Sequence, residues 1–442
     1  MPDEPALARL RELLRIPTVS RADADTTDWA AFEAFGDAVA RLYPAAHAAL
    51  ELEWFGRTML YRWRGAAEGA PSVLLAHYDV VAATESGWQH EPFEAEVAGE
   101  GDDRVLWARG VFDNKAAVVG LLEATEALIG AGHTPAHDVY LLFGHDEETA
   151  GSGASAVAAA FEQRGIRPAL VLDEGGAVAR GVFPGVSGPV AFVGTAEKQA
   201  ALLSLTVDEV GGHAASPPRM SASARLARAL TRLDRKPMRP RIIAPVRQLL
   251  GALSPRASGV YRPAFAVMNR IPALLGAVLA RLGDEPRAMV RTTIAVTTMQ
   301  AGHALNAMPG RATATLNARI LPGQSVDDVI AHVRRVIADD RVAVALLAPT
   351  QPSGISPASG PAWDLLGAAI TATFPEVGIA PYLQLGATDS RQFTRLTDAV
   401  YRFIPYEVST DERAGMHGTN ERMPVASFLR GLGFYETLIR SL

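Results

Sequence analysis

Apolar residues in the first half of the chain follow two patterns, short continuous runs and longer stretches with helical spacing. Leu7, Leu10, Leu13 and Leu14 recur at helical spacing, which predicts an amphipathic helix that ends before Pro17. Strand-like and helix-like stretches then alternate, in the order SVLLAHYDVV, KAAVVGLLEATEALIGAG, HDVYLLFGHDEE, SGASAVAAAFEQRG and PALVLDEGG. Continuous apolar strands separated by helices indicate an α/β fold with a mixed, largely parallel sheet that helices cover on both faces.

The pattern changes near Glu197. The stretches ALLSLTVDEV, RTTIAVTTMQAG, RATATLNARIL and RVAVALL resemble alternating, half-buried strands, with helical segments around 221–233 and 325–339. We therefore predict an inserted α+β domain over 197–346, with a helical insertion rich in Pro, Arg and bulky apolar residues at about 235–290. After the linker PTQPSGISPASGP the first pattern resumes, so residues 1–196 and 347–442 are predicted to form one catalytic domain.

Composition limits the classes of protein that the chain can belong to. Its 442 residues include 42 Lys and Arg, 48 Asp and Glu and no Cys, with a formal net charge of −6. A negative net charge does not favour binding to the phosphate backbone of a nucleic acid, so we expect no nucleic-acid partner. Without cysteine, disulfides, thiolate metal sites and a cysteine nucleophile are excluded. The charged N-terminal stretch and the lack of long apolar runs predict no membrane partner and a cytoplasmic location.

Histidines and acids cluster where the apolar runs end. In YLLFGHDEETAGSG, Glu147 and Glu148 follow a predicted strand. Adjacent carboxylates repel each other and are costly to desolvate, so the pair indicates a bound cation or a retained proton. Ligand sites in parallel sheets lie at the carboxyl ends of the strands. The ends of other apolar runs place His77, Asp79 and Asp173 at the same edge of the sheet.

Each residue also has an ordinary structural explanation. His77 alone is more often a satisfied strand histidine, Asp113 in RGVFDNKAA suits a helix N-cap, and Asp173 suits a turn. His417, in DERAGMHGTNER, is an ordinary loop histidine when taken alone. The glycine-rich GGHAASPP lacks the Lys-Ser/Thr of a phosphate-binding loop. No single residue therefore identifies a site.

As a set, these residues suit two metal ions. With cysteine absent, two histidines and three carboxylates form a ligand set for two zinc ions that share one carboxylate. A further acid must stay free to take a proton from water, so one of Glu147 and Glu148 is expected to bind metal and the other to act as base. Asp79 points to the same side of its strand as His77 and is expected to accept a hydrogen bond from the far ring nitrogen of His77.

The order of motifs resembles the co-catalytic zinc peptidase family that includes carboxypeptidase S, aminoacylase, glutamate carboxypeptidase and succinyl-diaminopimelate desuccinylase. The resemblance covers nearly the whole chain and rests on RIPTVS, AHYDVV, GWQHEPFEAEV, WARGVFDNK, HDEETAGSGA, LDEGG, GTAEK, GGHAASPP, RTTIAVTTMQAG, LNAMPGRATATLNARILPG, GATDSR and HGTNE. The segment before WARG and the long insertion are most similar to the carboxypeptidase S branch, which also contains N-acyl-amino-acid hydrolases.

The resemblance implies a zinc ligand set. Asp113 would bridge two zinc ions, with His77 and Asp173 completing one site and Glu148 and His417 the other. Cobalt or manganese are alternative metals. Two histidines and three carboxylates would thus hold a pair of ions in each subunit.

The resemblance also implies the catalytic groups. Glu147 takes the position of the general base, and Asp79 that of the residue that orients His77. Water held between the metal ions would attack the amide carbonyl, and Glu147 would pass the proton to the leaving amine.

The inserted domain resembles the family's lid, through which subunits usually form a homodimer. On that pattern His213 reaches the active site of the partner subunit and stabilises the oxyanion. Asn306 and Arg319 match lid positions that hold the substrate carboxylate, and Gly386 lies in a backbone segment that lines the pocket. The lid is therefore expected to contribute both to the site and to the dimer.

The sequence departs from the family pattern at Asn317, where an acid is common, and at Gln199 and Ala116, where glycine is common. None of these positions is a predicted ligand or base. We expect a hydrolase that cleaves a peptide or N-acyl amide bond next to a free carboxylate, acting on a small peptide or an N-acyl amino acid. Two alternatives stay open: an N-deacylase acting on a non-peptide amide, and a non-catalytic relative that binds a small acid.

Overall fold

The computed structural model describes residues 3–84, 86–183, 185–259, 261–348 and 350–442. Its α-helices are α1 Asp3–Leu14, α2 Trp29–Leu42, α3 Pro44–Ala49, α4 Ala116–Gly130, α5 Gly153–Gln163, α6 Ala222–Arg235, α7 Ala244–Leu253, α8 Tyr261–Arg270, α9 Pro272–Leu279, α10 Asp284–Met289, α11 Val326–Ile337, α12 Pro361–Thr373, α13 Thr410–Gly415 and α14 Val425–Arg440. Its strands are β1 Glu51–Phe55, β2 Thr58–Trp63, β3 Ser72–His77, β4 Glu96–Ala98, β5 Val105–Trp107, β6 Val139–Gly144, β7 Leu170–Asp173, β8 Val178–Ala179, β9 Val190–Glu197, β10 Gln199–Asp208, β11 Gly212–His213, β12 Thr293–Ala301, β13 Ala307–Met308, β14 Arg311–Ile320, β15 Ala343–Leu346, β16 Gly378–Gln384, β17 Val400–Arg402, β18 Glu407–Val408 and β19 Arg422–Pro424.

The larger sheet has the strand order β1-β2-β6-β3-β7-β17-β9-β8-β18, with β16 also paired to β9. At its centre β6, β3, β7 and β17 run parallel to one another. Every residue of β3 and β6 is buried, as the continuous apolar runs predict. Helices α1, α4 and α14 pack on one face and α5 on the other. The predicted α/β class with a mixed, largely parallel sheet is confirmed.

Close packing of α4 against α14 fixes the segment that precedes α4. Gly120 of α4 faces the ring of Tyr435, where a Cβ atom at position 120 would come within 2.5 Å of ring carbons. The glycine therefore allows an approach that any larger side chain would block. Because Asp113 lies three residues before α4 begins, this packing also sets the position of Asp113 relative to the sheet.

The smaller sheet is antiparallel, with the order β12-β14-β10-β15. All four strands lie between residues 199 and 346. Apolar residues of β10 and β14 alternate inward, where they form a core with α6 and α11. The outward positions include Leu202, Val296 and Leu346, which are exposed. The solvated face that the alternating pattern predicts is therefore present.

The segment between α6 and β12 forms four helices, α7 to α10, which pack against the larger sheet. Helices α7 and α9 share a core with Val190, Phe192 and Ala380 of β9 and β16, which belong to the larger sheet. In the sequence the insertion is grouped with the lid. A helical pattern of apolar residues indicates that one face of a helix is buried, but it does not identify the element that packs against that face. The insertion instead widens the domain that carries the larger sheet.

Lys198 secures the end of the insertion. It lies between β9 and β10, is 1% exposed, and donates hydrogen bonds to the carbonyl oxygens of Ala288 (3.2 Å) and Arg291 (2.9 Å) and to Thr293 Oγ1 (3.1 Å). Burial lowers the pKa of Lys198 to about 7. One side chain thus joins the larger sheet, the insertion and the first residues of β12.

Among the described residues, none of the helices has the length and apolarity needed to cross a bilayer.

Candidate metal centre

Three neighbouring parallel strands bring the predicted residues together. His77 is the last residue of β3, and a short 3-10 turn after β6 carries Glu147 and Glu148. Glu174 directly follows β7. Because β6, β3 and β7 are adjacent and parallel, their carboxyl ends meet at one edge of the sheet, as the sequence analysis expected.

Asp113 lies between two histidines that are far apart in sequence. His77 Nε2 is 2.9 Å from Asp113 Oδ1, and His417 Nε2 is 2.8 Å from Asp113 Oδ2. Each carboxylate oxygen therefore faces a different imidazole. This is the arrangement that a bridging carboxylate between two metal ions requires, with each histidine contributing a nitrogen to its own ion.

Potential ligand atoms form two groups around Asp113. The first group is His77, Glu147 and Glu174, and the second is Asp113, Glu148 and His417. Within each group the ligand atoms lie within 4.8 Å of one another. In the second group His417 Nε2 is 3.1 Å from Glu148 Oε2, and the other oxygen of Glu148 is buried without a hydrogen-bond partner among the described residues. Such an orphaned carboxylate oxygen fits a metal ligand.

Glu174, and not Asp173, belongs to the first group. Glu174 Oε1 lies 3.4 Å from His77 Nε2. Asp173 instead accepts hydrogen bonds from two backbone amides, Ser390 N–H (2.7 Å) and Glu174 N–H (2.9 Å). The geometry therefore favours Glu174 over the predicted Asp173 as a member of this group, and we carry Glu174 forward as a proposed ligand. Adjacent residues at a strand end point in different directions, so the motif LDEGG does not reveal which acid faces the site.

Asp79 supports the centre in two ways. Its Oδ1 atom is 3.3 Å from His77 Nδ1, although its backbone oxygen is closer to that nitrogen, at 3.0 Å. The fully buried carboxylate also accepts hydrogen bonds from the backbone N–H groups of Glu147 (3.2 Å) and Glu148 (3.1 Å) and from the hydroxyl of Ser20 (2.7 Å). The contact with His77 is the one expected from the sequence. The hydrogen bonds that Asp79 accepts from the turn that carries Glu147 and Glu148 were not foreseen.

Glu421 fixes the backbone around Asp113, a role that the sequence analysis missed. It forms a buried ion pair with Arg109 (2.8 Å) and accepts hydrogen bonds from the N–H groups of Gly110, Phe112 and Asp113. Arg109 also donates to the carbonyl oxygen of Gly418, next to His417. Breaking a buried ion pair by removing one partner costs about 3–5 kcal/mol. Glu421 therefore joins the two segments that carry Asp113 and His417.

The electrostatics of the cluster call for a cation. Burial raises the pKa of Glu147 far above its usual value, and burial together with the charge of Asp113 raises the pKa of Glu174 to about 8. Hydrogen bonds that His417 donates to the carboxylates of Asp113 and Glu148 raise the pKa of His417 to about 10. With protein groups alone, the carboxylates are compensated only by protons on neighbouring side chains. Divalent ions placed between them remove that need, so the residues fit a pair of metal ions.

A cavity of about 500 Å³ opens beside the centre. Asp113, Glu147, Glu174 and His417 line one part of it, and Gly386 lies in its wall as predicted. Apolar side chains line part of the remaining wall, namely Val182, Phe192, Ile404, Val408 and Met416, and polar groups such as Arg180, Ser409, Thr410 and Arg413 line the rest. The cavity can therefore accept a molecule with a polar end at the metal centre and an apolar remainder.

The insertion supplies one residue of the cavity wall. Glu285 of α10 accepts a hydrogen bond from the hydroxyl of Tyr382 (2.9 Å) and pairs with Arg413 (3.1 Å). Arg413 lies on α13, just before His417. A partly exposed pair of this kind contributes only about 0–1 kcal/mol, so its main effect is to orient the wall and to neutralise Arg413. No short motif marks this network, which the sequence analysis missed.

The lid residues fall into two sets. Arg319 is partly buried; burial and the charge of Arg391 lower its pKa, while the charges of Glu197 and Glu147 oppose the shift. His213 and Asn306 are exposed; His213 ends β11 and Asn306 directly precedes β13, which pairs with β11. Neither His213 nor Asn306 is among the residues that line the cavity of their own chain.

Known proteins resemble the chain over nearly its whole length. The sequence model of Peptidase family M20/M25/M40 matches residues 73–441. Probable carboxypeptidase S-like 2 from Dictyostelium discoideum is 34% identical over 444 residues, covering 98% of this chain and 84% of the relative. The N-fatty-acyl-amino acid synthase/hydrolase PM20D1 from Xenopus tropicalis is 34% identical over 440 residues, covering 98% and 85%.

Solved structures share the fold. The M20 family metallo-carboxypeptidase Sso-CP2 from Sulfolobus solfataricus aligns with a TM-score of 0.71 at 16% identity and covers 98% of both chains. Human carnosine dipeptidase 1 aligns with a TM-score of 0.67 at 13% identity, covering 99% of this chain and 96% of its own. A dinuclear metal binding peptidase of the M20 family from Bacillus subtilis gives 0.59 at 12% identity, covering 99% and 97%.

The choice between Glu174 and Asp173 is testable by metal content. Glu174→Gln removes a charged ligand atom from the first group, so we expect about one zinc ion per chain in place of two. Asp173→Asn is expected to keep both ions and to lower the free energy of unfolding by about 1–3 kcal/mol, because a buried acceptor of backbone N–H groups is weakened. Mass spectrometry of protein dialysed against zinc-containing buffer measures the number of bound ions, and urea unfolding measures the free energy of unfolding. The reverse pattern of zinc loss would restore Asp173 as the ligand.

Proposed function

The chain belongs to peptidase family M20/M25/M40 and is a metal-dependent hydrolase, and we propose that it uses two zinc ions to cleave a peptide or N-acyl amide bond next to a free carboxylate. The observation that carries this proposal is the position of Asp113 between His77 and His417, with Glu147 beside it. Together the two groups supply five metal ligands and one acid that is left to act as base, which disfavours the alternative of a non-catalytic small-acid-binding relative.

Five side chains would hold the two ions. Asp113 would be shared, His77 and Glu174 would complete one set of ligands, and Glu148 and His417 the other. The donor set of imidazole nitrogens and carboxylate oxygens suits zinc, with cobalt or manganese as alternatives. When bound, such a pair of ions lowers the pKa of water and polarises a carbonyl group.

Glu147 is proposed as the general base. It lines the cavity next to Asp113 and Glu174, and its backbone N–H is fixed by Asp79. In this role its carboxylate takes a proton from the attacking water and delivers it to the amine nitrogen when the carbon–nitrogen bond breaks.

Arg319 is proposed to bind the substrate carboxylate. Its guanidinium is partly buried near Glu147, and an Arg fork offers paired donors that match a carboxylate. Gly386 would line the pocket through its backbone, because it has no side chain to occupy the cavity. A substrate held in this way would present its amide bond to Glu147.

The apolar part of the cavity favours an N-acyl amino acid over a short polar peptide. Val182, Phe192, Val408 and other apolar side chains surround the space away from the metal centre. An acyl group there would leave water and gain roughly 0.8 kcal/mol per buried methylene. One relative is named an N-fatty-acyl-amino acid synthase/hydrolase and another carboxypeptidase S, so both chemistries occur among similar chains.

We also propose that residues 197–346, apart from the insertion, act as a lid and form a homodimer. His213 and Asn306 are exposed and do not line the cavity of their own chain, which agrees with a function in the partner's site. In that position His213 would donate a hydrogen bond to the oxyanion, and Asn306 would contact the substrate carboxylate. The cytoplasmic location stays a prediction from the sequence.

Replacement of Glu147 tests the base. Glu147→Gln is expected to keep two zinc ions and to lower kcat for an N-acyl amino acid by about 10²–10⁴-fold, because an amide accepts no proton at neutral pH. Glu148→Gln is the matched control on the same turn and is expected to lose zinc. Zinc analysis and steady-state kinetics provide the readouts. A Glu147→Gln enzyme with near-normal kcat would refute the base assignment.

Replacement of Arg319 tests carboxylate binding. Arg319→Gln is expected to raise KM about 10- to 100-fold for an N-acyl amino acid, since a hydrogen bond to a charged group contributes about 1.5–3 kcal/mol. The corresponding amino-acid amide lacks the carboxylate and is expected to respond little. Arg311→Gln changes an exposed arginine of the same strand and serves as the control. An equal effect on both substrates would argue against a carboxylate contact.

Mixed dimers test the role of His213. His213→Asn and Glu147→Gln are each expected to be inactive alone, whereas an equal mixture that exchanges subunits is expected to regain about a quarter of wild-type activity, since one site in each mixed dimer is complete. Kinetic assays before and after subunit exchange measure the recovery. No recovery in verified mixed dimers, or a fully active monomer, would contradict the proposal.

A further inference from the structure

Positive charge is concentrated in one segment of an acidic protein. Residues 235–291 contain eleven Lys and Arg and two acidic residues, a net charge of +9, although the whole chain has a formal net charge of −6. This segment includes helices α7 to α10. The insertion therefore carries a local charge opposite in sign to that of the rest of the chain, and the whole-chain value conceals it.

Few acids are present to neutralise these cations. The two acidic residues of the segment already have partners, Asp284 with Arg287 and Glu285 with Arg413. Arg262, Arg270 and Arg281 are exposed and form no ion pair with any acidic side chain in the described part of the chain. Exposed cations in the other domains are commonly paired, as with Arg164 and Glu53. The insertion thus presents exposed guanidinium groups that are not neutralised by acidic side chains of the described residues.

Apolar side chains are exposed between these arginines. Tyr261, Val267, Ile271, Leu274 and Leu282 are 41%, 49%, 48%, 44% and 65% exposed. They lie within a stretch of 22 residues, which spans α8, α9 and the following turn. We define the insertion surface as these five residues together with Arg262, Arg270 and Arg281.

The inner side of the same helices is already covered. Phe265, Leu275 and Leu279 are buried in the core that the insertion shares with the larger sheet. The exposed apolar residues are therefore not needed to hold the insertion in place. Interleaved cations and apolar side chains on a helical surface are the pattern of a segment that lies in the interface of an anionic bilayer.

We propose that the insertion surface docks on an anionic lipid surface. The arginines would pair with lipid phosphates, while Val267, Ile271 and Leu274 enter the boundary between headgroups and acyl chains. A second copy of the chain that docks symmetrically, through the same surface, is a poor occupant, because it would place one cationic surface against another. A nucleic acid would satisfy the arginines but would leave the aliphatic side chains in water.

This inference changes one expectation from the sequence. No membrane partner was predicted, because the sequence lacks a spanning run and the net charge is negative. Docking on a surface needs neither a spanning helix nor a basic protein, only a local patch. The inference is independent of the proposed hydrolase activity. It nevertheless places a lipid surface near the cavity, since Glu285 of the same insertion lines the cavity wall.

Vesicle binding by the full chain tests the proposal. We expect co-sedimentation with vesicles of equal parts phosphatidylcholine and phosphatidylglycerol, none with phosphatidylcholine alone, and weaker binding as salt is raised. The triple variant Arg262→Gln, Arg270→Gln, Arg281→Gln is expected to bind roughly 100-fold more weakly, since each charge near an anionic surface contributes about a factor of five. Replacing Val267, Ile271 and Leu274 by Ser is also expected to weaken binding.

A matched charge variant and a polyanion distinguish the alternatives. Arg167→Gln, Arg228→Gln, Arg334→Gln removes the same charge from exposed positions outside the insertion and is expected to bind vesicles like the wild type. Hydrolysis of a water-soluble substrate and the unfolding midpoint confirm that each variant is folded. Equal binding to both vesicle types, equal loss in the two arginine variants, or binding to heparin with none to anionic vesicles would each overturn the proposal.

Discussion

The structure depends on one constraint, the placement of a carboxylate between two imidazoles at the edge of a parallel sheet. Asp113 meets His77 through one oxygen and His417 through the other, although the two histidines are 340 positions apart. Burying several acids at that edge is unfavourable without divalent cations. The surrounding structure therefore has to hold the acids in place: Asp79 fixes the glutamate turn, and Glu421 fixes the backbone at Asp113.

Distant parts of the chain combine around this edge. The parallel strands supply His77 and the acids, the loop after α13 supplies His417, and the insertion supplies Glu285 to the cavity wall. Lys198, which directly follows β9, donates hydrogen bonds to both the insertion and β12 of the smaller sheet. The insertion thus has two sides with different properties: its core helps to shape the cavity, and its outer surface is cationic and apolar. Substrate choice and location on a lipid surface would then depend on one segment.

Sequence reasoning was most successful for regular strands and helices and for motifs that combine uncommon residues such as histidine with adjacent acids. The buried strands and the alternating strands of the smaller sheet follow from apolar periodicity. The family resemblance implied His77, Asp113, Glu148 and His417 as ligands, and these four side chains lie close together in the structure. Sequence could not separate Asp173 from Glu174 in LDEGG, because the two adjacent residues carry the same functional group and differ only in the direction that the backbone gives them. It could not find the contacts of Glu285 with Tyr382 and Arg413, because their partners are generic residues about a hundred positions away. The helical pattern of the insertion also did not identify β9 and β16 as the strands against which its helices pack.

The central claim is that His77, Asp113, Glu148, Glu174 and His417 enclose two metal ions. Anomalous diffraction at the zinc edge from crystals of the wild-type chain grown with zinc tests this claim most directly. The account predicts two peaks about 3.5–4 Å apart, both within about 2.0–2.2 Å of Asp113, one bound by His77 and Glu174 and the other by Glu148 and His417. A single peak, no peak at this edge, or coordination by Asp173 in place of Glu174 would contradict it.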